Sequence, residues 1–91
     1  MHRKGRRERF DIIYEILNIL SDGRIYKTML AHRAKLDSRT INKYVDLLQR
    51  VNMITVEEEG KEKEEGRYIL KITEKGRAFL NMYEELMRLL R

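Results

Sequence analysis

The sequence contains no cysteine, which excludes disulfides and thiolate metal sites and leaves the redox compartment open. No apolar run approaches the roughly 20 residues of a membrane-spanning helix. The start, MHRKGRRERF, is basic but lacks the apolar segment that follows in a signal peptide, so an intracellular, cytoplasmic location is the expectation. Glycine is scarce: the five fall in the N-terminal arm, the turns, a hairpin and a Lys-Gly pair, and none builds a phosphate-cradling loop. Histidine is scarcer. His2 lies in the arm and His32 stands alone on a short helical pattern, without an acid and a nucleophile nearby in spacing and without a second zinc ligand. Neither catalysis nor a cofactor is expected. A chain of 91 residues forms one small domain with a single core and little stability to spare.

What is abundant is charge, unevenly placed. The formal net charge is +5. Residues 1–9 hold Arg3, Lys4, Arg6, Arg7 and Arg9 against Glu8, a net +4. Residues 57–65, EEEGKEKEE, hold six glutamates against two lysines, a net −4. A compact basic head and a separate acidic loop result. The basic part invites a polyanion, of which nucleic acid is the commonest. A solvated, highly charged surface of the hyperthermophile kind accounts for composition equally well.

Hydrophobic spacing organises the rest. Over 10–20, FDIIYEILNIL places Phe10, Ile13, Leu17 and Leu20 on one helical face with Ile16 beside them. SDG at 21–23 supplies the stop. Ile25 is a lone apolar residue suited to a short strand or bridge. A second helix over about 27–34 turns Leu30 and Ala34 inward, with Met29 at its edge. KLDS then breaks the pattern, and Asp37 or Ser38 can cap a third helix by accepting orphan backbone N–H bonds. That helix, about 38–51, buries Ile41, Val45 and Leu48. Two short alternating runs follow, with Ile54 and Val56 inward in the first and Tyr68, Leu70 and Ile72 in the second, joined by the charged 60–66 segment. Thr73, Glu74 and Lys75 open a last helix with room to reach Arg91.

This order predicts a mainly α fold with a small β-hairpin: a winged helix-turn-helix with an extended C-terminal helix. The expected division is a basic arm at 1–9, the winged domain at 10–75 and the C-terminal helix at 76–91. A three-helix core bundle with a decorative hairpin shares the pattern, but the alternation in the hairpin gives it a core-facing side, which favours the wing.

In a helix-turn-helix the second helix of the motif lies in the major groove and the first crosses the backbone. Here the third helix offers Arg39, able to fork onto guanine or a phosphate, Thr40 for a base edge or phosphate, and Asn42 for an adenine edge. Lys43, one turn beyond Arg39, suits a phosphate. Tyr44 lies at the border of core and groove, and a ring packed in the core is the favoured reading. Ser38 serves either as cap or as phosphate ligand. Lys27 and Thr28 start the backbone-crossing helix, Arg33 and Lys35 lie near the turn, and Arg67 sits at the base of the wing. Arg3, Lys4, Arg6 and Arg7 of the arm suit a minor groove or phosphates, or a solubilising tail. The wing tip is the exception: its glutamates repel phosphate, so it is expected to stand off DNA despite Lys61 and Lys63.

In the last helix Ala78, Phe79, Met82, Leu86, Leu89 and Leu90 form a broad stripe with Tyr83 at its border. Phe79 and Met82 are expected to be shared with the core. The apolar residues near the chain's end ask for a partner helix, and a symmetric dimer supplies one through Phe79, Met82, Tyr83, Leu86, Leu89 and Leu90. The competing arrangement folds this helix back over the first, covering Ile12 and Ile19.

RERFDIIYEILNIL, TMLAHRAKLDSRTINKYVDLLQRVNMI and YILKITEKGRAFL together resemble the archaeal winged helix-turn-helix DNA-binding family typified by a small Sulfolobus chromatin protein. The resemblance runs from about Arg7 to Leu90, and its most specific parts are the Ala31–Leu48 register and the ITEKG run at 72–76. It implies a DNA-binding homodimer, nucleoid-associated, whose C-terminal helices pair as an antiparallel coiled coil. The terminal helical pattern here is shorter than in the coiled-coil members. Two functional classes are therefore carried forward: a double-stranded DNA binder, regulatory or architectural, and a winged-helix protein-interaction module that does not bind DNA, which the acidic wing would suit.

Overall fold

The computed structural model describes residues 8–58 and 67–91. Seven elements follow in order: α1 (Arg9–Leu20), β1 (Ile25–Tyr26), α2 (Lys27–Ala34), α3 (Ser38–Arg50), β2 (Ile54–Glu58), β3 (Tyr68–Ile72) and α4 (Glu74–Leu89). The fold is the expected mainly α winged helix-turn-helix with an extended C-terminal helix. The arm residues Arg3, Lys4, Arg6 and Arg7, and the wing-tip residues 59–66, lie outside the described residues.

The three strands form one antiparallel sheet in the order β1-β3-β2. The lone Ile25 is what recruits β1. It pairs with Leu70, which pairs on its other side with Val56, so one inward row crosses the whole sheet. Leu70 is fully buried at its centre. Ile69, on the opposite face between Tyr26 and Glu57, is also buried; strict alternation does not anticipate this.

One core joins Ile13, Ile16, Leu17 and Leu20 of α1 to Leu30 of α2, Ile41, Tyr44, Val45 and Leu48 of α3, Ile54, Leu70 and Leu80. Among the described residues no buried polar side chain lacks a partner. Phe10 departs from expectation. It is 62% exposed because the core side of α1 is centred on Ile13, Ile16, Leu17 and Leu20. Phe10 instead packs near Phe79, with ring centres 6.4 Å apart.

The turn between α2 and α3 has a specific construction. Lys35 adopts the left-handed conformation at φ 59°. Its N–H donates to the His32 carbonyl at 3.2 Å, and the Leu36 N–H donates to the Ala31 carbonyl at 2.9 Å. This is a Schellman closure with a non-glycine residue at the position glycine favours, and Leu36 tucks against the core behind it. Lys35→Gly is expected to raise stability by about 0.5–1 kcal/mol, since the left-handed cost of a Cβ exceeds the extra chain entropy of glycine. An increase in the urea midpoint at constant m checks it.

α4 differs from the sequence reading in phase and length. Its buried residues are Gly76 and Leu80, whereas Ala78 is exposed and Met82 is 72% exposed; Met82 is not shared with the core. The helix packs on α1 along the Phe10 and Tyr14 edge. Tyr14 stacks on Tyr83 with centroids 4.6 Å apart. The Tyr14 hydroxyl donates to Glu84 at 3.1 Å, and the Tyr83 hydroxyl donates to Asp11. Both phenols are thereby held protonated: the carboxylate of Asp11, with partial burial, pushes Tyr83 up to about 12, and burial and Glu84 raise Tyr14. The competing arrangement, a fold-back over α1, is therefore the one α4 adopts, but at about 100° per residue Ile12 and Ile19 lie on the opposite edge of α1 from this contact.

Candidate nucleic-acid interface

α3 is the element on which the candidate surface is built. Asp37 caps it by accepting the Thr40 backbone N–H at 2.8 Å. That hydrogen bond, aided by the Thr40 side chain and the Arg39 cation, holds the Asp37 carboxyl below the usual range. The sign follows directly: a depressed folded pKa gives stability present above the ordinary aspartate pKa and lost as pH falls through the folded value.

The helix buries Ile41, Tyr44, Val45 and Leu48. All four lie on one side, so Ser38, Arg39, Asn42 and Lys43 are exposed and Thr40 is half-buried. Arg39 and Lys43 lie one turn apart on the side facing away from the core. The favoured reading of Tyr44 holds: its ring is in the core, and the Lys43 ammonium lies 5.7 Å from its centre. The same outward row continues through Asp46 and Arg50, joined by an exposed ion pair at 2.5 Å. Sequence reasoning missed both, although the continued +3 and +4 spacing from Lys43 was there to find them. Asp46 places one negative charge among three positive ones. Since the pair is exposed, Arg50 cancels it locally at only a few tenths of a kcal/mol of stability.

The other candidates distribute around this row. Lys27, half-buried at the first position of α2, reaches across to α3. Its Nζ donates to Asn42 Oδ1 at 2.7 Å and lies 4.9 Å from the centre of the Tyr68 ring on β3. Lys27, Asn42, Asp46, Gln49, Val56 and Tyr68 line a shallow concavity between α3 and the wing. Thr28, Arg33 and Lys35 are exposed along α2 and the turn, and Arg67 is exposed just before β3. The described part of the wing carries exposed Glu57 and Glu58 on β2. Arg39, Asn42 and Lys43 are thus carried by α3 itself, Lys27 reaches it from α2, and Arg67 precedes β3.

A two-helix unit closed by a tight turn, backed by a third helix and flanked by a β wing, defines a winged helix-turn-helix protein, a fold typical of DNA-binding transcriptional regulators. The winged helix-turn-helix family profile matches residues 6–91, and the chain belongs to that family.

Over 47 residues the chain is 40% identical to an uncharacterized protein of Methanocaldococcus jannaschii, a match that covers 52% of this chain and 48% of that one. The match thus spans about half the length of that curated relative. Among solved structures, the DNA-binding protein Sso10a-2 of Sulfolobus solfataricus superposes with a TM-score of 0.75 at 25% identity, covering 91% of this chain and 81% of that one. The transcriptional regulator BldR of the same organism gives 0.74 at 27% identity, covering 88% of this chain but 56% of its own. A PadR family regulator from Clostridium difficile gives 0.77 at 20% identity, covering 87% and 88%, a likeness of fold alone.

Proposed function

We propose that the protein binds double-stranded DNA as a homodimer, with the first turns of α3 in the major groove, and acts as a simple transcriptional regulator or an architectural protein. The observation that carries this reading is the exposed Arg39–Lys43 row on a helix whose apolar side is wholly occupied by the core. Exposed cations one turn apart in the first half of α3 suit a helix laid in a major groove. The likeness to Sso10a-2, a DNA-binding protein, supports the same reading.

The dimer half of the proposal rests on α4. Phe79 and Tyr83 are occupied within the protomer by α1. Met82, Leu86, Leu89 and Leu90 are exposed, Leu89 by 76%. With Phe10, Phe79 and Tyr83, Met82 and Leu86 line an apolar groove beside α1. A second copy of the same helix, related by a two-fold axis, covers such a stripe with matching apolar residues.

The test is an equilibrium titration of a fluorescent duplex of about 30 base pairs, long enough for two half-sites a helical turn apart, run across salt concentrations with light scattering alongside. Binding with a steep salt slope and a mass twice that of the chain is the expected result. The ratio of affinities for mixed and A·T-rich duplexes then separates a regulator from an architectural protein. Absence of binding at about 50 mM salt would sink the DNA reading, and a dimer formed nonetheless would favour a protein-interaction module.

A further inference from the structure

We infer that Lys27 is a positioning residue that fixes which end of the Asn42 amide faces a nucleic acid, and so sets the base that Asn42 reads. The inference rests on the DNA-binding reading above and adds a determinant of specificity to it.

The Lys27 ammonium is 2.7 Å from the end of the Asn42 side chain. An ammonium carries donors only, so the amide atom facing it must be the acceptor, Oδ1; the NH2 group in that place would set donor against donor. Chemistry alone therefore orients this amide, with oxygen toward Lys27 and NH2 away from it. The face of Tyr68, 4.9 Å from Nζ, holds the ammonium from the wing side. The chain enforces the placement. Tyr26 is both the last residue of β1 and the N-cap of α2, so Lys27 follows the sheet without a spacer.

A freely rotating asparagine reads adenine with both ends of its amide, accepting from N6 and donating to N7. Here the oxygen is committed to a charge-assisted bond. Its electron density is drawn toward Lys27, which makes it a poorer acceptor for adenine N6–H. The same polarisation makes the NH2 a better donor. Such a group suits an edge made of acceptors, and guanine presents N7 and O6 side by side. Asn42 clamped by Lys27 thus favours guanine over adenine, the reverse of the adenine edge expected of asparagine. Neither an amide oxygen nor a ring face neutralises Lys27, so its charge still attracts phosphate.

The experiment is selection from a randomised duplex pool with the full chain, comparing wild type, Asn42→Ala, Lys27→Met and Lys27→Arg, each with a thermal melt. The Asn42 side-chain amide resonances of the DNA-free protein are recorded in parallel. Wild type is expected to show a position preferring guanine over adenine by about tenfold. Asn42→Ala should flatten that position. Lys27→Met should shift it toward adenine and move the Asn42 amide resonances, and Lys27→Arg, which keeps a donor, should retain guanine. The same preference in Lys27→Met as in wild type, or no position that responds to Asn42→Ala, overturns the inference. Loss of all preferences together with a lowered melting temperature in Lys27→Met marks a structural role and overturns it too. Wild type that retains no duplex removes the DNA-binding reading and this inference with it. In that case the amide resonances still report on the clamp: unchanged in Lys27→Met, they show that it does not exist either.

Discussion

Gly76→Ala is expected to lower the melting temperature by about 10 °C, corresponding to a loss of about 2 kcal/mol in a domain of this size. Gly76 lies in the first turn of α4, where it is buried. A Cβ there would stand 2.4 Å from the Met53 carbonyl oxygen and 2.7 Å from Ile72 Cγ1, both closer than van der Waals contact permits. The carbonyl has little freedom to retreat. It accepts the Thr73 N–H at 3.0 Å, and the neighbouring Asn52 carbonyl accepts the Thr73 hydroxyl at 2.7 Å. The Gly76 N–H itself donates to Thr73 Oγ1 at 3.1 Å. Alanine gains about 1 kcal/mol of helix propensity over glycine. Overpacking a tied backbone costs about 1–3 kcal/mol, and the shift needed here also strains the cap hydrogen bonds, which adds to that cost. The clash wins. Differential scanning calorimetry decides the matter, and a melting temperature within a degree or two of wild type would refute the account.

The second large effect concerns binding. Arg39→Glu combined with Lys43→Glu is expected to weaken duplex binding at low salt by at least 100-fold while leaving the melting temperature almost unchanged, because both side chains are exposed. Each replacement removes an attraction and adds a repulsion against a phosphate-lined groove. The single neutral variants should then differ in kind. Lys43→Ala, as a phosphate contact, should reduce the salt slope by about 1 with little change in sequence preference, whereas Arg39→Ala, if it reaches a guanine edge, should relax preference at one position. Asp46→Asn provides a control of opposite sign: it removes the carboxylate from the outward row and frees Arg50, so affinity should rise. Fluorescence anisotropy over a salt series reads all four. If the double charge reversal bound like wild type, α3 would not be the recognition helix.

Much of this architecture was legible in the residues. α2 and α3 were readable because Leu30, Ala34, Ile41, Val45 and Leu48 repeat at helical spacing and KLDS interrupts them with a capping residue. The wing strands were readable from Ile54, Val56 and Leu70. α4 was misphased for an identifiable reason. It carries two overlapping rows, and the conspicuous one, through Met82, Leu86 and Leu89, is the exposed one. The buried row runs through Gly76 and Leu80, and a glycine gives no hydrophobic signal even when its missing side chain is what lets two backbones meet. On α3 the exposure of Arg39 and Lys43 was legible, since the apolar repeat of Ile41, Val45 and Leu48 fixes the opposite face. The bond between Lys27 and Asn42 was not, because it joins residues 15 apart in sequence through a strand-to-helix junction that spacing alone does not describe.

The pairing of β1 with β3 has a mechanical consequence. Ile25 and Tyr26 are bonded to the return strand of the wing and pass directly into α2, so the wing base and the two motif helices form one stiff body. Swinging the wing outward would break that ladder and expose the Ile25, Leu70 and Val56 row. On the proposed reading, a duplex touched by both α3 and the wing base meets a caliper of fixed opening. The adjustment then falls on the DNA, and groove width and bendability at positions no side chain reaches become part of what is selected.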